Sequence, residues 1–597
     1  MALASSVRME IAGQKVPDFL KISITQKMHC LQEFQVCCRM DTFEEPDDFI
    51  INNSKRFIGS TIVIEINTFS SSGDQSEPGL FFKGIICSVK AAKSDLSNED
   101  TIVLKGYSPE FMLDDHPGCR SFENKTLKQI VEEVLKPCPR DVLSAKVNPV
   151  WPETIPWCVQ YNETNLEFLH RLATRYGEWM YYSGKELIFG NPPGNKEHLT
   201  LGEDLNTLDF SLNLKAPGFK YVTYDYTSAK KLENDTGKTM GKSQLNEAGK
   251  YAFDQSAKRF SYMPVHDYPH LNVAPDKYPK AQKDATETDA SAIATGMCGI
   301  AATSESLKLV PGTKVAVKAR KTESMIGTVD YGEYLVTEVE HRCNNLLNYE
   351  NSFSGVSSDV KVPGYADPMA FPRSGPQNAV VKDNKDPEKL GRVRVNFFWQ
   401  ESSQMSPWIR VAFPYAANER GFYFIPEIGD EVLVDFEGED AEKPFVVGSL
   451  YHGKNKPHKK WPDNKNSFKG IATKNNLRIE FDDEKKITTI DTPGGNKVVI
   501  SDDEKSILLS DQNRNTVELK PEGITLDSPK DIKITSKSKI TIDATSGVDI
   551  SSVSDVKVTG LNINQSANVS FTAKGNASAE LSAAGQTTVK GAMVMIN

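Results

Sequence analysis

Pairs of apolar residues separated by one polar residue recur along the C-terminal part of the chain. Each pair begins eight positions after the preceding one, and the pairs are Ile524/Leu526, Ile532/Ile534, Ile540/Ile542, Val548/Ile550 and Val556/Val558. An even period keeps the same side chains on one face of a β-strand, whereas a period of eight does not fit whole turns of an α-helix. The pattern therefore predicts repetitive β-structure from residue 524 onward.

The repeat changes register after these five pairs, because the next pair begins only five positions after Val556. On this interpretation it continues as Leu561/Ile563, Val569/Phe571 and Ala577/Ala579. The intervening residues are Ser, Thr, Asp, Asn and Lys, which are poor helix formers. A single repeat is too small to bury its own apolar pair, so we expect the repeats to stack on neighbours.

Two amphipathic helices are predicted in an otherwise strand-rich N-terminal half. One runs from Thr126 to Lys136, and the other from about Asn165 to Tyr176. The second begins with a capping box formed by Thr164 and Glu167, and Gly177 ends it. Residues 179–182 and 187–189 predict a hairpin.

Further strands are predicted at residues 309–317 and 334–340. Between the hairpin and these strands, the Lys-rich polar interval at 228–250 predicts a surface excursion. A segment rich in Pro and Gly at 363–376 marks a domain boundary.

A compact β-rich block follows this boundary, with strands predicted at 392–398, 408–411, 431–436 and 444–448. Short strands at this spacing predict a small barrel of the OB type. A basic linker runs from His452 to Phe468. Beyond it a repeat of about twenty positions appears, in which Ile479–Lys485 recurs as Val499–Lys505, each predicting strand, polar turn and strand.

The composition of the chain narrows the function classes. The net charge is −10, which disfavours general nucleic-acid binding. No apolar run is long enough for a membrane-spanning helix, and Met1–Gly13 lacks the features of a usual secretory signal. The nine cysteines lie between Cys30 and Cys343 without a CxxC pair, so we expect free thiols in a reducing cytoplasm.

Candidate metal sites are weak in this sequence. His266 and His270 have a ligand-like spacing, but Pro269 lies between them and makes a helix, and hence a zinc site, improbable. The acidic runs at 482–484 and 502–504 occupy the same place in the longer repeat, which favours solvated turns over calcium ligands. No His follows His458, so the C-terminal repeats offer no His-ligated metal site. We expect no metal and no cofactor.

Candidate catalytic and nucleic-acid sites are also weak. Gly-x-Ser-x-Gly and phosphate-binding loops are absent from the sequence, so we expect no enzyme. The sequence leaves a Cys/His nucleophilic pair open, with buried structural cysteines as the default. Four aromatic residues of the predicted barrel could stack on nucleic-acid bases, but the acidic charge favours packing for them: Trp399, Trp408, Phe422 and Phe424.

Several motifs in chain order resemble the VgrG spike family of type VI secretion systems. They are Tyr161-Asn-Glu-Thr164 with Phe168, Arg171 and Gly177, then Gly391-Arg-Val-Arg-Val-Asn-Phe-Phe-Trp399, Ser406-Pro-Trp-Ile-Arg-Val411, Gly421-Phe-Tyr-Phe-Ile-Pro426 and the terminal Lys590-Gly-Ala-Met-Val-Met-Ile-Asn597. This resemblance implies a mainly β, multidomain homotrimer related to the hub and spike of contractile-tail phages. It implies a hub of two tube-like β-barrels with a few helices (1–365), an OB-fold barrel (366–455), a linker (456–470) and a C-terminal trimeric β-helix or β-prism needle (471–597).

The resemblance also implies the function and the partners. The expected partners are an Hcp-like hexameric tube protein, a PAAR-type tip protein, baseplate components and secreted effectors, with no nucleic acid. The five pairs from Ile524 to Val558 would form the trimer core, residues 391–448 would join hub to needle, and the last residues would bind the tip protein: Met593, Val594, Met595, Ile596 and Asn597. The protein would assemble in the bacterial cytoplasm, leave through the contractile machine and pierce a target membrane transiently.

Three other functions can be compared with that of a secretion spike. A sugar-binding fibre would have an aromatic-rich C-terminal head, and an enzyme would have a compact domain beyond the barrel; the sequence shows neither. The hub and spike of an extracellular contractile injection particle, or of a phage-like tail, would share all of these parts.

Overall fold

The fold is described from a computed structural model, which covers residues 5–43, 55–68, 79–92, 100–237, 240–320 and 327–596. The chain divides into two compact units, Met1–Pro457 and His458–Asn597. Among the described residues, no helix combines the length and the apolar character needed to cross a bilayer.

The first unit begins with a curled antiparallel sheet. The strands are β1 (Ser5–Ile11), β2 (Gln14–Lys15), β3 (Lys21–Lys27), β4 (Glu33–Arg39), β5 (Thr61–Thr68), β6 (Leu80–Ala92) and β7 (Thr101–Tyr107). They follow the spatial order β3-β4-β7-β6-β5-β1-β2. Alternate residues such as Ile22, Ile24, Phe34 and Val36 are buried in a common core, as the alternating pattern of a half-buried strand requires.

A mixed segment with two helices follows and packs onto the same core. Its elements are β8 (Gly118–Thr126), α1 (Leu127–Leu135), β9 (Ala145–Asn148), β10 (Thr154–Glu163), α2 (Asn165–Tyr176), β11 (Met180–Tyr182) and β12 (Leu187–Gly190). Both predicted helices are confirmed. The capping box of Thr164 and Glu167 is formed, and Gly177 ends α2 with a positive φ of 68°, a conformation that glycine adopts without strain. The predicted hairpin is β11–β12.

A closed barrel and an excursion complete the hub region. The elements are β13 (Lys196–Leu201), β14 (Leu205–Leu212), β15 (Lys220–Asp225), β16 (Lys230–Asp235), α3 (Glu247–Arg259), β17 (Val265–Asp267), α4 (Tyr278–Thr295), β18 (Cys298–Ser304), β19 (Lys314–Arg320), β20 (Thr328–Asn344) and β21 (Tyr349–Ser357). Strands β19-β13-β14-β18-β21-β20 form a closed ring, because β20 pairs with β19. Strand β20 also pairs with β3 and so joins this barrel to the first sheet.

The interval at 228–250 is more ordered than its composition suggests. Strand β16 pairs with β15 in a three-stranded sheet, and helix α3 begins inside the interval, at Glu247. The sequence pattern does not predict helices α3 and α4, because small residues supply most of their buried faces and leave no stripe of large apolar residues. Examples in α4 are Ala281, Ala285 and Ala290. The strand predicted at 309–317 begins five residues too early, since β19 starts only at Lys314.

The last part of the first unit is a small curled sheet. The elements of this part are β22 (Gln377–Asp383), β23 (Arg394–Phe397), β24 (Ala416–Ala417), β25 (Arg420–Gly421), β26 (Glu431–Phe436) and β27 (Pro444–Ser449). The sheet has the order β23-β22-β26-β27, and β24 and β25 form a separate two-stranded sheet. Single bridges, Val393 to Ile409 and Val411 to Val446, close this sheet where a continuous strand at 408–411 was predicted. The predicted barrel is therefore present, with one strand reduced to two bridges.

The second unit begins as a seven-stranded antiparallel meander in sequence order. Its strands are β28 (Phe468–Ala472), β29 (Arg478–Asp482), β30 (Ile487–Asp491), β31 (Lys497–Ser501), β32 (Ser506–Ser510), β33 (Thr516–Lys520) and β34 (Gly523–Asp527). The longer repeat is confirmed as successive strand–turn–strand hairpins. From Ser528 to Ile596, all of which are described, the single chain forms no strand.

Glu110 is an unusual buried carboxyl in the short 3₁₀ turn Pro109–Leu113 after β7. Its Oε2 atom has no hydrogen-bonding partner among the described residues. Burial raises the pKa of Glu110 to about 7, and the hydrogen bond with Ser108 offsets only part of that effect.

We predict that Glu110→Gln stabilises the hub region above pH 7. A carboxyl whose folded pKa exceeds its unfolded value favours folding at low pH, and this contribution is lost as pH rises from about 4.5 to about 7. A neutral amide avoids the cost of burying the charge, so the gain approaches ~3 kcal/mol at pH 8. Urea unfolding of both proteins between pH 4 and pH 8 measures it. Parallel stability curves over this range would contradict the assignment.

Candidate assembly surfaces and the hub–barrel junction

The predicted trimer-core residues lie on a surface that one chain does not cover. A buried core would hide these side chains, but in the single chain all ten are between 51% and 73% exposed. Contiguous apolar exposure of this extent is typical of a protein–protein contact. The predicted core is therefore absent within one chain, and its burial by partner chains stays a prediction. The ten residues are Ile524, Leu526, Ile532, Ile534, Ile540, Ile542, Val548, Ile550, Val556 and Val558.

The two members of each pair differ consistently in exposure. From Ile532 onward the second member is the more exposed of the two, as Ile534 (70%) and Ile550 (73%) illustrate. Ile524 and Leu526 belong to β34 and show the opposite order. The regular alternation thus begins only where the strands of the meander end.

Backbone bends show the eight-residue period directly. They begin at Pro529, Lys537, Thr545 and Val553, and again at Asn568, Asn576, Ala584 and Ala592. Within each group the bends are eight positions apart. Val553 and Asn568 lie fifteen positions apart, with one further bend at Leu561 between them, so two repeats occupy one residue fewer than expected.

This shortening corrects the register predicted after Val558. Val553, Leu561 and Val569 lie at bends and are almost fully exposed, so Leu561 and Val569 are corner residues. Ile563 and Phe571 are 53% and 65% exposed, as the paired residues are. The repeat thus continues through Ile563 and Phe571, and the predicted five-residue shift is wrong.

The predicted tip residues also lie at the surface of the chain. Met593, Val594, Met595 and Ile596 are exposed. Asn597 lies outside the described residues. The role of these five residues in binding a tip protein stays a prediction.

The hub and the small barrel share strand β10. Trp157 and Val159 belong to the apolar core of the barrel, together with residues such as Val395 and Val434. Cys158, between them, belongs to the hub core. Successive side chains of a strand point to opposite faces, so one strand supplies both cores and fixes the barrel to the hub.

A buried ion pair lies beside this strand. Arg175, in the last turn of α2, donates from Nη1 to Oε2 of Glu442 at 2.6 Å and from Nη2 to the carbonyl oxygen of His270 at 2.7 Å. The other carboxylate oxygen of Glu442 accepts from the backbone N–H of Val159 at 2.9 Å. Asn272 Nδ2 also donates to Glu442, at 2.6 Å. These bonds satisfy both charges, which makes their burial tolerable.

Asp440 and His270 extend the network. His270 Nδ1 donates to Oδ2 of Asp440 at 2.8 Å, and the His270 ring stacks on Phe371 with centroids 3.8 Å apart. Burial raises the pKa of Asp440, but the hydrogen bond from His270 and the charge of Arg175 lower it by more, so the net pKa lies below its ordinary value. Burial lowers the pKa of Arg175, but the charge of Glu442 together with those of Asp440 and neighbouring tyrosines outweighs this effect, so the net pKa is raised.

A second buried ion pair orders the loop before β23. Arg392 donates from Nη2 to Oδ1 of Asp386 at 2.8 Å and from Nε to Oδ2 at 3.1 Å. Asp386 also accepts the backbone N–H of Leu390 at 2.8 Å. The sequence motif that begins at Gly391 does not include Asp386, whose position shortly before Arg392 is the one sequence signal for this ion pair.

The other sequence candidates have structural explanations. His266 lies in strand β17 and contacts Phe219 and Tyr221, while His270 binds Asp440, so they do not form a helical metal pair. The described residues contain no group of three or more His, Cys, Asp or Glu arranged for a metal. The acidic runs lie at hairpin turns, where Lys469 pairs with Asp483 at 3.0 Å.

The aromatic residues of the barrel divide into two groups. Trp399 packs against the barrel core and contacts Phe397 and Tyr161, as predicted for packing. Trp408 is half-buried. Phe422 and Phe424 are exposed, so packing within the chain does not account for them.

Three family models match successive parts of the chain. A phage tail baseplate hub model matches residues 55–347, a type VI secretion system/phage-baseplate injector OB domain matches 377–451, and a phage baseplate V C-terminal trimerisation domain matches 486–552. In this order the matched segments are those of a baseplate hub and spike protein, which is the class of protein that this chain resembles.

Individual relatives narrow this class. The type VI secretion system spike protein VgrG3 of Vibrio cholerae is 26% identical over 367 residues, which are 54% of this chain and 32% of that protein. VgrG1a of Pseudomonas aeruginosa is 24% identical over 459 residues, 68% of this chain and 66% of that protein. The resemblance to the VgrG spike family is therefore confirmed, although the chain spans less than two thirds of the length of these relatives.

A solved structure supports the fold independently. The lidded PdpA–VgrG complex of Francisella matches with a TM-score of 0.54 at 10% identity, covering 88% of this chain and 80% of that chain. At this identity the likeness concerns the fold alone.

We predict that Arg175→Met destabilises the hub–barrel unit by ~3–5 kcal/mol, because Glu442 would remain buried without its charged partner. Urea unfolding followed by tryptophan fluorescence measures this change, since Trp157 lies at the junction. Arg320→Met is the matched control, since Arg320 pairs with Glu203 at the surface and is expected to contribute ~1 kcal/mol or less. Equal losses of unfolding free energy in the two variants would contradict a stabilising role of the buried ion pair at the junction.

The corrected register predicts opposite effects of two neighbouring substitutions. Ile563→Asp should weaken any assembly of the C-terminal segment, because it would bury a carboxylate in every chain at one level. Leu561→Asp should be tolerated, because a corner residue faces solvent. Light scattering and thermal unfolding of both variants measure the difference. Equal weakening by both substitutions would restore the register first predicted from the sequence, in which Leu561 and Ile563 form one pair.

Proposed function

We propose that the chain is the structural spike of a type VI secretion system, a homotrimeric puncturing tip that delivers effectors. The observation that carries this proposal is the continuous series of exposed apolar pairs in a segment that overlaps the trimerisation-domain match. Partner chains would cover these pairs and would also supply strand partners for backbone groups that one chain leaves unpaired.

The proposed division of labour follows the chain. Residues 1–365 are the hub, 366–455 the OB-fold barrel that joins hub to needle, 456–470 the linker and 471–597 the needle. Two tube-like barrels in each of three chains would give six similar units, which suits the Hcp-like hexameric tube. The buried pair of Arg175 and Glu442 supports a hub and barrel that transmit force as one body. Movement of the barrel relative to the hub would separate two buried charges that have few alternative partners.

We propose a mechanical role and no enzymatic one. Energy for translocation would come from a contracting sheath, so the chain needs no nucleotide site. Met593–Asn597 would bind a PAAR-type tip protein, with baseplate components and secreted effectors as further partners. The protein would assemble in the bacterial cytoplasm and pass into the medium or a target cell, whose membrane it pierces transiently.

The trimer core predicts the outcome of a charge substitution. Replacing Ile540 and Ile542 by Asp should abolish trimers, because carboxylates from three chains would meet at one level in an apolar interior. Thr541→Asp is the matched control, since it changes the polar position between the two. Light scattering of the purified full chain gives the mass. A double variant that remains trimeric and heat-stable would contradict the proposed core.

Secretion tests the function itself. The protein is expected in culture medium together with a hexamer-forming tube protein, and only when the sheath gene is intact. The Ile540/Ile542 variant should be absent from the medium, while Thr541→Asp should be exported. Export that is independent of the sheath would refute the proposal.

An extracellular contractile particle is the second candidate function, because the hub match is to a phage tail baseplate protein. In that case the chain would sediment from the medium in an intact sheath-and-tube particle. A type VI spike would appear there without the sheath.

A further inference from the structure

The one-residue shortening determines which residues continue the apolar series. The two members of each pair advance by seven positions at this point, from Val556 to Ile563 and from Val558 to Gln565. With the period of eight restored, the next pairs are Ile563/Gln565, Phe571/Ala573, Ala579/Leu581 and Thr587/Val589.

The exposure of the side chains supports this series. The first members Ile540, Val548 and Val556 are 51%, 53% and 59% exposed, and Ile563 is 53% exposed. The residue between the two members is polar in every pair, namely Lys533, Thr541, Asp549, Lys557, Asn564, Thr572, Glu580 and Thr588. The series thus keeps one polar face across the shortening.

Gln565 is the exception on the apolar face. Two paired residues from Ile532 to Val589 are polar, Gln565 and Thr587, and only Gln565 carries an amide. It lies in the first pair after the shortening. An amide carries both donors and an acceptor, so it can be buried without penalty only where another polar group lies at the same level. Equivalent Gln565 residues of neighbouring chains would meet this requirement.

We propose that the Gln565 side chains of three copies of this chain meet in one layer and fix the register of the needle. This inference rests on the proposed homotrimer. The partners in the layer are copies of this chain, because the series of pairs continues from the trimerisation-domain match at 486–552. Uniform apolar pairs with an eight-residue period would allow chains to associate one repeat out of step at little cost. A single polar layer removes that degeneracy, because a shifted chain leaves amides buried against apolar residues.

Gln565→Glu in the full chain is the direct test. At pH 8 three carboxylates would share one buried layer, so the trimer should melt ~10 °C or more below the unchanged chain. At pH 4 the protonated carboxyl resembles the amide, and most of this difference should disappear. The control is Asn564→Glu, on the polar face, which should show no such dependence on pH.

A second variant keeps the test decisive if the first fails to assemble. Gln565→Leu should form trimers at least as heat-stable as the unchanged chain but with mixed register. Hydrogen exchange of peptides from 556–589 should then show two populations in place of one.

The outcomes separate the two proposals. An unchanged chain that is monomeric refutes the proposed trimer. A trimeric chain in which Gln565→Glu behaves like Asn564→Glu, or in which Gln565→Leu keeps a single exchange population, refutes the register layer alone.

Discussion

The constraint on which the C-terminal segment depends is a regular series of apolar pairs, eight positions apart, that one chain leaves uncovered. Strands β28–β34 pair with one another, and that pairing ends at Asp527. Beyond it every described residue from Pro529 to Ile596 is exposed in the single chain. Burial of this surface therefore requires other chains, and we propose that three copies provide it.

In the first unit, a shared strand and a buried ion pair hold the small barrel on the larger hub. Strand β10 contributes Cys158 to one core and Trp157 and Val159 to the other, so neither core is complete without it. The ion pair of Arg175 and Glu442 lies beside this strand, where its carboxylate also binds the backbone of Val159. Apolar packing supplies most of the stability of such a junction, while the paired charges make alternative arrangements costly.

The register of the repeats shows how far an alternating pattern can be interpreted. Leu561, Ile563, Gln565, Val569 and Phe571 all occupy odd-numbered positions, so they share one face of a strand and the sequence allows two choices of pair. Apolar character alone favoured Leu561/Ile563. The backbone decided otherwise, because bends place Leu561 and Val569 at corners. A turn position is set by backbone geometry, which a count of apolar residues does not contain.

The sequence by itself determined the class of the fold, both capped helices, the hairpins of the longer repeat and the eight-residue period, because each depends on local patterning and capping. It also carried the resemblance to the VgrG spike family. The tertiary structure alone decided which strands close the barrel of β13, β14 and β18–β21, helices α3 and α4 with their small-residue faces, and the junction of Arg175 with Glu442. Those two residues are 267 positions apart, and no local rule connects a helix end to a barrel residue at that separation.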